Sequence, residues 1–169
     1  MSHQQASQMG EERRILVVKL GAVGDCLHTL VAVAELRRLL PEAYIGWLVE
    51  TKSQDVVTGH PLLNRIHIWN RKAASAALHR RNFADAWKIT RDVVEEIRQT
   101  KYDVAIDFQD LFKSGFFARQ SRAPLRIGFA RWREFNFLFT NTRVKIVDRQ
   151  THMVRRYLAL LRPLGLQPR

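Results

Sequence analysis

Residues 13–25, RRILVVKLGAVGD, decide the fold. The aliphatic, β-branched run 13–20 stops at a turn holding Gly21 and Gly24, which predicts a strand buried on both faces. From 25 to 40, Leu27, Leu30, Val31, Ala34 and the stretch from Leu36 to Leu40 follow a helical stripe, with Asp25 placed as an N-cap and Pro41 just past the end. Residues 43–50, AYIGWLVE, read as the next strand. A β-α-β unit of this kind requires a right-handed crossover and a parallel sheet. The alternation continues with strands at 65–69, 102–107 and 125–129 and helices at 83–101, 111–119 and 151–161, the last stopped by Pro163 and Gly165. Residues 70–82, with Arg71, Lys72, His79, Arg80 and Arg81, read as an exposed loop. The class is therefore α/β, a Rossmann-like open parallel sheet with helices on both faces.

The chain has 169 residues, 46% hydrophobic and 26% charged, enough for one soluble domain with its own core. Its formal net charge is +12, which calls for an anionic partner: nucleic acid, a membrane surface or a phosphorylated ligand. The charge is uneven, with a net of −1 over residues 1–60, +5 over 61–102 and +8 over 103–169. One cysteine, Cys26, excludes an internal disulfide and a Cys-rich zinc site, and points to a reducing, cytoplasmic compartment. Residues 1–12 read as a flexible tail rather than a secretory signal, and no apolar run reaches the roughly 20 residues of a membrane span.

Ligands of an open parallel sheet bind beyond the carboxyl ends of the strands, so the first turn is the place to look. A dinucleotide fingerprint would need glycine at position 19, which is Lys19, and Asp25 would repel a pyrophosphate from the helix N-terminus. The NAD-dependent Rossmann enzyme is thus disfavoured. Glycines at 21 and 24 let a ligand approach the backbone, and Asp25 is then a carboxylate displayed at the mouth of the sheet. Two roles fit it: helix N-cap, or general base taking a proton from an attacking hydroxyl.

The segments RRILVVKL, GAVGD and CLHTLVAVAELRR, followed in order by KYDVAIDFQDLFKS (101–114), the strand at 126–129 and HMVRR (152–156), resemble the ADP-heptose:lipopolysaccharide heptosyltransferases, glycosyltransferase family 9, of the heptosyltransferase I type. The resemblance runs from about residue 13 to 166 and implies the N-terminal, acceptor-binding half of a GT-B fold. The family's D-T/S-G-x-x-H nucleotide-sugar motif has no match, so the C-terminal donor domain is expected to be absent and the isolated chain inactive. The resemblance implies an inverting, metal-free and cofactor-free transfer of heptose from ADP-heptose to the Kdo region of the lipopolysaccharide inner core. It gives Asp25 the role of catalytic base. The implied partners are an anionic Kdo-lipid A type glycolipid, the ADP-heptose donor mainly through the second domain, and the inner membrane surface, met peripherally from the cytoplasm.

An acceptor bearing carboxylates and phosphates suits Arg and Lys. The substrate-binding candidates are Gly24 in the turn, Arg71 and Lys72 after the third strand, Gln109, Lys113 and Ser114 after the fourth, Arg133, and Arg156 in the last helix. Each cation could equally be a solvated surface charge. Asp110 stands where the family often has glycine and would bring a negative charge near the acceptor. His28 either touches ligand or is hydrogen-bonded near the helix start, Cys26 reads as a packed small residue, and Trp132 is the one tryptophan considered as a sugar platform. A nucleic-acid-binding module remains the alternative on charge alone, although no helix-turn-helix, RNP or zinc pattern is present.

Overall fold

The computed structural model describes residues 13–130, 133–146 and 152–168. Six strands form one parallel sheet: β1 (Arg14–Val18), β2 (Tyr44–Glu50), β3 (Arg65–Trp69), β4 (Val104–Asp107), β5 (Leu125–Phe129) and β6 (Thr142–Val144). Their order is β3-β2-β1-β4-β5-β6, every neighbouring pair parallel. This is the doubly wound arrangement, and the order in which successive strands are added reverses between β1 and β4. The helices are α1 (Val23–Leu39), α2 (Arg71–His79), α3 (Phe83–Thr100), α4 (Phe112–Gln120) and α5 (Met153–Ala159).

The two-residue period of β1 divides the core. Ile15 and Val17 face a layer shared with α1 and α5, where Val33, Leu36, Tyr157 and Leu160 pack. Leu16 and Val18 face the opposite layer, built with Val93, Val94 and Ile97 of α3 and Phe117 of α4. A strand buried on both sides needs the continuous apolar run that its sequence shows. On β2, Trp47 enters the first layer and donates its indole N–H to Lys19 O at 2.9 Å. Gly46 opens the second layer to the Tyr102 hydroxyl, which would lie 1.8 Å from a Cβ at that position.

Three expectations change. α1 begins at Val23, so its N-cap is Ala22 and Asp25 lies inside the first turn, with no side-chain cap bond. Asp25 is therefore not the N-cap, although a carboxylate there still meets the positive end of the helix dipole favourably. Residues 70–82 are not a loop. Asn70 accepts from Ala73 N–H at 3.0 Å and starts α2, whose alanines carry it to His79, and Asn82 accepts from Asp85 N–H at 3.1 Å to start α3. β6 is an unforeseen sixth strand, only three residues long. The expected tail at 1–12 lies outside the described residues. No described helix is long and apolar enough to cross a membrane.

Candidate active site

The carboxyl ends of β1 and β4 diverge at the reversal of strand order, which is where an open α/β sheet leaves a crevice. Three short segments line it: the turn after β1, the turn after β4, and the 3₁₀ segment Thr51–Val56 after β2. The first two meet directly, with Gly21 N–H donating to Gln109 Oε1 at 3.4 Å. Gly21 also makes room for the third, because a Cβ there would stand 3.1 Å from Lys52 Cε and 3.2 Å from Ser53 Oγ. Nothing lies within 4 Å of a Cβ placed on Gly24, so the approach to the start of α1 is open.

Asp25 stands beside that opening, its side chain 42% exposed. Lys19, 2% exposed, reaches its Oδ2 at 3.1 Å. The same ammonium donates to Tyr157 Oη at 3.0 Å and Phe108 O at 3.5 Å, and lies 5.3 Å from the Tyr157 ring centroid. Three acceptors satisfy the three N–H donors of a buried lysine. The carboxylate is thus fixed through one oxygen, while Oδ1 has no partner among the described residues. An oriented, half-exposed carboxylate with one oxygen unpaired among the described residues can accept a proton from a bound hydroxyl.

A second cluster surrounds Glu50, buried at the end of β2. Lys113 Nζ lies 2.7 Å from it, Lys52 Nζ 3.5 Å and Arg71 Nη1 3.8 Å. Three cations on one carboxylate leave an excess of positive charge. Lys52, Arg71 and Lys72 also line a groove of about 410 Å³ with Ser75 and His79. Such a groove attracts a carboxylate or phosphate and can bind it through charge-assisted hydrogen bonds.

Asp107 holds the turn that carries Gln109 and leads into α4, where Lys113 lies. Its Oδ1 accepts from Gln109 and Asp110 N–H at 2.8 and 3.2 Å, and its Oδ2 lies 2.9 Å from both Ser114 Oγ and Asn136 Nδ2. Burial pushes this carboxyl up to about 6, against the opposing pull of its backbone and side-chain donors. Ser114 is fully buried, and its hydroxyl also accepts from Leu111 N–H at 3.1 Å. It secures the start of α4 from inside and does not line the crevice. Asp110 is likewise buried, with Asn136 Nδ2 at 3.3 Å, so the departure from glycine places its carboxylate inward, away from an incoming anion.

Of the residues singled out from the sequence, the structure gathers Gly24, Asp25 and Gln109 at the crevice and Arg71, Lys72 and Lys113 around the Glu50 groove. Arg156 is half-buried on α5, next in sequence to the Tyr157 that holds Lys19, and its Nε is without a partner among the described residues. The Arg133 side chain and Trp132 lie outside the described residues, although the 3₁₀ segment Arg133–Leu138 is tied to Asp107 through Asn136. His28 is exposed, its ring edge-on to His152 at 6.0 Å. Cys26 is buried in the core, which raises its thiol to about 11 and fits a packing role.

Sequence reasoning missed Lys19, Glu50, Lys52 and Tyr157. The signal is in the sequence: a lysine closing an aliphatic strand requires a buried partner, and Glu50 closes the next strand in the same way.

Comparison with known proteins gives the following. Residues 90–167 match the model of glycosyltransferase family 9 (heptosyltransferase). The chain is 29% identical over 111 residues to lipopolysaccharide heptosyltransferase 1 of Pseudomonas aeruginosa, covering 63% of this chain and 29% of that protein. It is 32% identical over 107 residues to lipopolysaccharide heptosyltransferase 1 of Escherichia coli O18:K1:H7, covering 60% and 30%. Its fold superposes on the solved E. coli heptosyltransferase WaaC with ADP-2-deoxy-2-fluoro heptose at a TM-score of 0.79 and 26% identity, over 92% of this chain and 50% of that one. The chain thus spans about 30% of the curated relatives' length in the aligned region and half of the solved chain.

Proposed function

Because this chain belongs to the heptosyltransferases of glycosyltransferase family 9, we propose that residues 13–166 act as the acceptor-binding domain of an inverting transferase. The reaction moves heptose from ADP-heptose to the Kdo region of a lipopolysaccharide inner core, at the cytoplasmic face of a membrane. The donor-binding half of such a two-domain transferase holds the nucleotide sugar. The observation that carries this reading is Asp25, anchored by Lys19 through Oδ2 and open at Oδ1 beside a crevice that a glycine leaves clear.

In the proposed step, Asp25 Oδ1 accepts the proton of an acceptor hydroxyl as that oxygen attacks the anomeric carbon of the heptose. The new glycosidic C–O bond forms while the bond from the anomeric carbon to the diphosphate oxygen breaks, and ADP leaves with the electron pair. A single displacement inverts the anomeric centre and needs one base on the acceptor side. The excess positive charge around Glu50 suits the carboxylates and phosphates of the acceptor, and Gln109 offers an amide at the crevice.

The test is equilibrium binding of a soluble, acidic Kdo-containing lipid A core analogue, set against single- and double-stranded oligonucleotides. Salt-sensitive binding of the glycan, weakened by Lys113→Ala, is expected. Tight oligonucleotide binding with no glycan binding would reverse the assignment in favour of a nucleic-acid module.

A further inference from the structure

We propose that the α2–α3 hairpin docks this domain onto an anionic phospholipid bilayer. The two helices are joined by residues 80–82, and the joint is well defined: Arg81 N–H donates to Leu78 O and Asn82 N–H to Ala77 O, each at 2.9 Å, with Arg81 in the left-handed region at φ 57°. The hairpin therefore presents a shaped tip. At and beside it, Leu78, Phe83 and Trp87 are 50%, 67% and 60% exposed. Phe83 and Trp87 are one helical turn apart on α3, and with Leu78 they border an apolar groove of about 430 Å³ floored by Ala74 and Ala86. Three large apolar side chains in water on one tip mark an interaction surface.

The charges choose the partner. Three of the four acids on α3 are paired with a cation, and the fourth, Asp85, is held by the neutral amide of Asn82. Asp85 accepts from Asn82 Nδ2, Lys88 holds Asp92 at 2.7 Å, Arg91 holds Glu95 at 2.6 Å and Arg65 holds Glu96 at 2.8 Å. Arg80, Arg81 and Lys72 are exposed and have no carboxylate partner among the described residues. An aromatic and aliphatic tip flanked by unneutralised Arg and Lys has the composition that inserts at the headgroup level of an acidic leaflet. A protein partner would need carboxylates and an apolar patch in register with both features. A lipid surface supplies anionic headgroups and acyl chains at every point.

The two grooves adjoin, since Arg71 and Ser75 line both. A glycan anchored in the bilayer could then run from the lipid surface along α2 into the Glu50 groove. That orientation rests on the acceptor role proposed above, whereas docking to plain phospholipid does not.

The test is co-sedimentation of the full chain with vesicles of phosphatidylcholine alone or with phosphatidylglycerol added, all free of glycan. Binding to the acidic vesicles is expected, at least about tenfold tighter than to the neutral ones and weakened by salt. Phe83→Ser with Trp87→Ser, and separately Arg80→Glu with Arg81→Glu, should each reduce it by about tenfold or more while the thermal transition is retained. Absence of vesicle binding by the parent chain, or equal binding by both double variants, would overturn the proposal. So would a concentration-dependent dimer that Phe83→Ser with Trp87→Ser dissociates, because the tip would then be a self-association face. Failure here with the soluble acidic glycan still bound removes the docking surface alone; vesicle binding without glycan binding removes the acceptor role alone.

Discussion

Lys19 Nζ lies 3.1 Å from Asp25 Oδ2, the lysine buried and the carboxylate half-open to the crevice. Its remaining donors go to Tyr157 Oη and Phe108 O, so one cation links the first turn, the end of β4 and α5. Lysine at this point orients the acid without covering it. Under the proposed function it is a positioning residue, and Asp25 is the group that would meet substrate.

Replacing Lys19 separates orientation from folding. Methionine matches the stem of lysine, and exchange of a buried ion-pair member for a packed apolar residue is tolerated when the partner can reach water, as the exposed Asp25 can. Tyr157 Oη and Phe108 O lose their buried donor as well, so Lys19→Met should lower the unfolding free energy by about 1–3 kcal/mol. With a donor-binding half supplied, it should lower kcat by about tenfold with little change in acceptor KM. An unchanged kcat would leave Lys19 a packing residue.

The Glu50 cluster predicts opposite effects from its two signs of charge. Lys113→Ala removes the cation closest to Glu50 and should weaken binding of the acidic glycan by about tenfold, the value of one charge-assisted hydrogen bond. Glu50→Gln removes the competing anion while keeping the side-chain shape, and should tighten glycan binding at low salt. Isothermal titration of both variants checks this. Weaker binding in both would make the ion pairs themselves the required structure.

Asp107 makes stability depend on pH. Its folded carboxyl is raised by burial from the usual 3.8 to about 6, so the proton is bound more tightly in the folded chain than in the unfolded one. The resulting contribution is complete below the unfolded value and is lost as pH rises through about 6. Asn at this position does not titrate, and Asn136 can turn its amide to meet it. Urea unfolding at several pH values from 4.5 to 7 should show the parent losing stability relative to Asp107→Asn as pH rises. The whole effect is on the order of 3 kcal/mol. A flat difference would mean that this carboxyl is not perturbed.

Gly46 is required by packing. A Cβ there would fall 1.8 Å from Tyr102 Oη, which is itself 2.7 Å from His67 Nε2. Gly46→Ala must move the ring and break that contact, at a cost of about 1–3 kcal/mol. Thermal unfolding should report a drop of several degrees, on the order expected for that cost. An unchanged midpoint would show that the Tyr102 ring shifts freely.

The parts of the fold that the sequence revealed share a physical cause. β3 and β5 begin and end at the expected residues because short apolar-rich segments between turn signals have few alternatives. α2 was hidden by cations at both ends of its alanine run, although Asn70 and Asn82, each a cap, were visible. β6 pairs on one side only and is too short to impose a period. At the site, Asp25 was legible from its place in the turn after the first strand, while Gln109 and Lys113 came from resemblance to a family. Lys19 with Tyr157, 138 positions apart, and Lys113 with Glu50, 63 apart, are pairings that only the folded sheet brings together.

The most direct measurement is the turnover of Asp25→Asn, assayed with a donor-binding half supplied. Asparagine keeps a carbonyl for Lys19 and the size of the side chain but cannot take a proton. The expected result is a rate lowered by about 10²-fold or more, with glycan affinity close to that of the parent chain and a thermal midpoint lowered by the loss of the counterion of the buried Lys19. A rate within a few-fold of the parent would contradict the account, leaving Asp25 as no more than the counterion of Lys19.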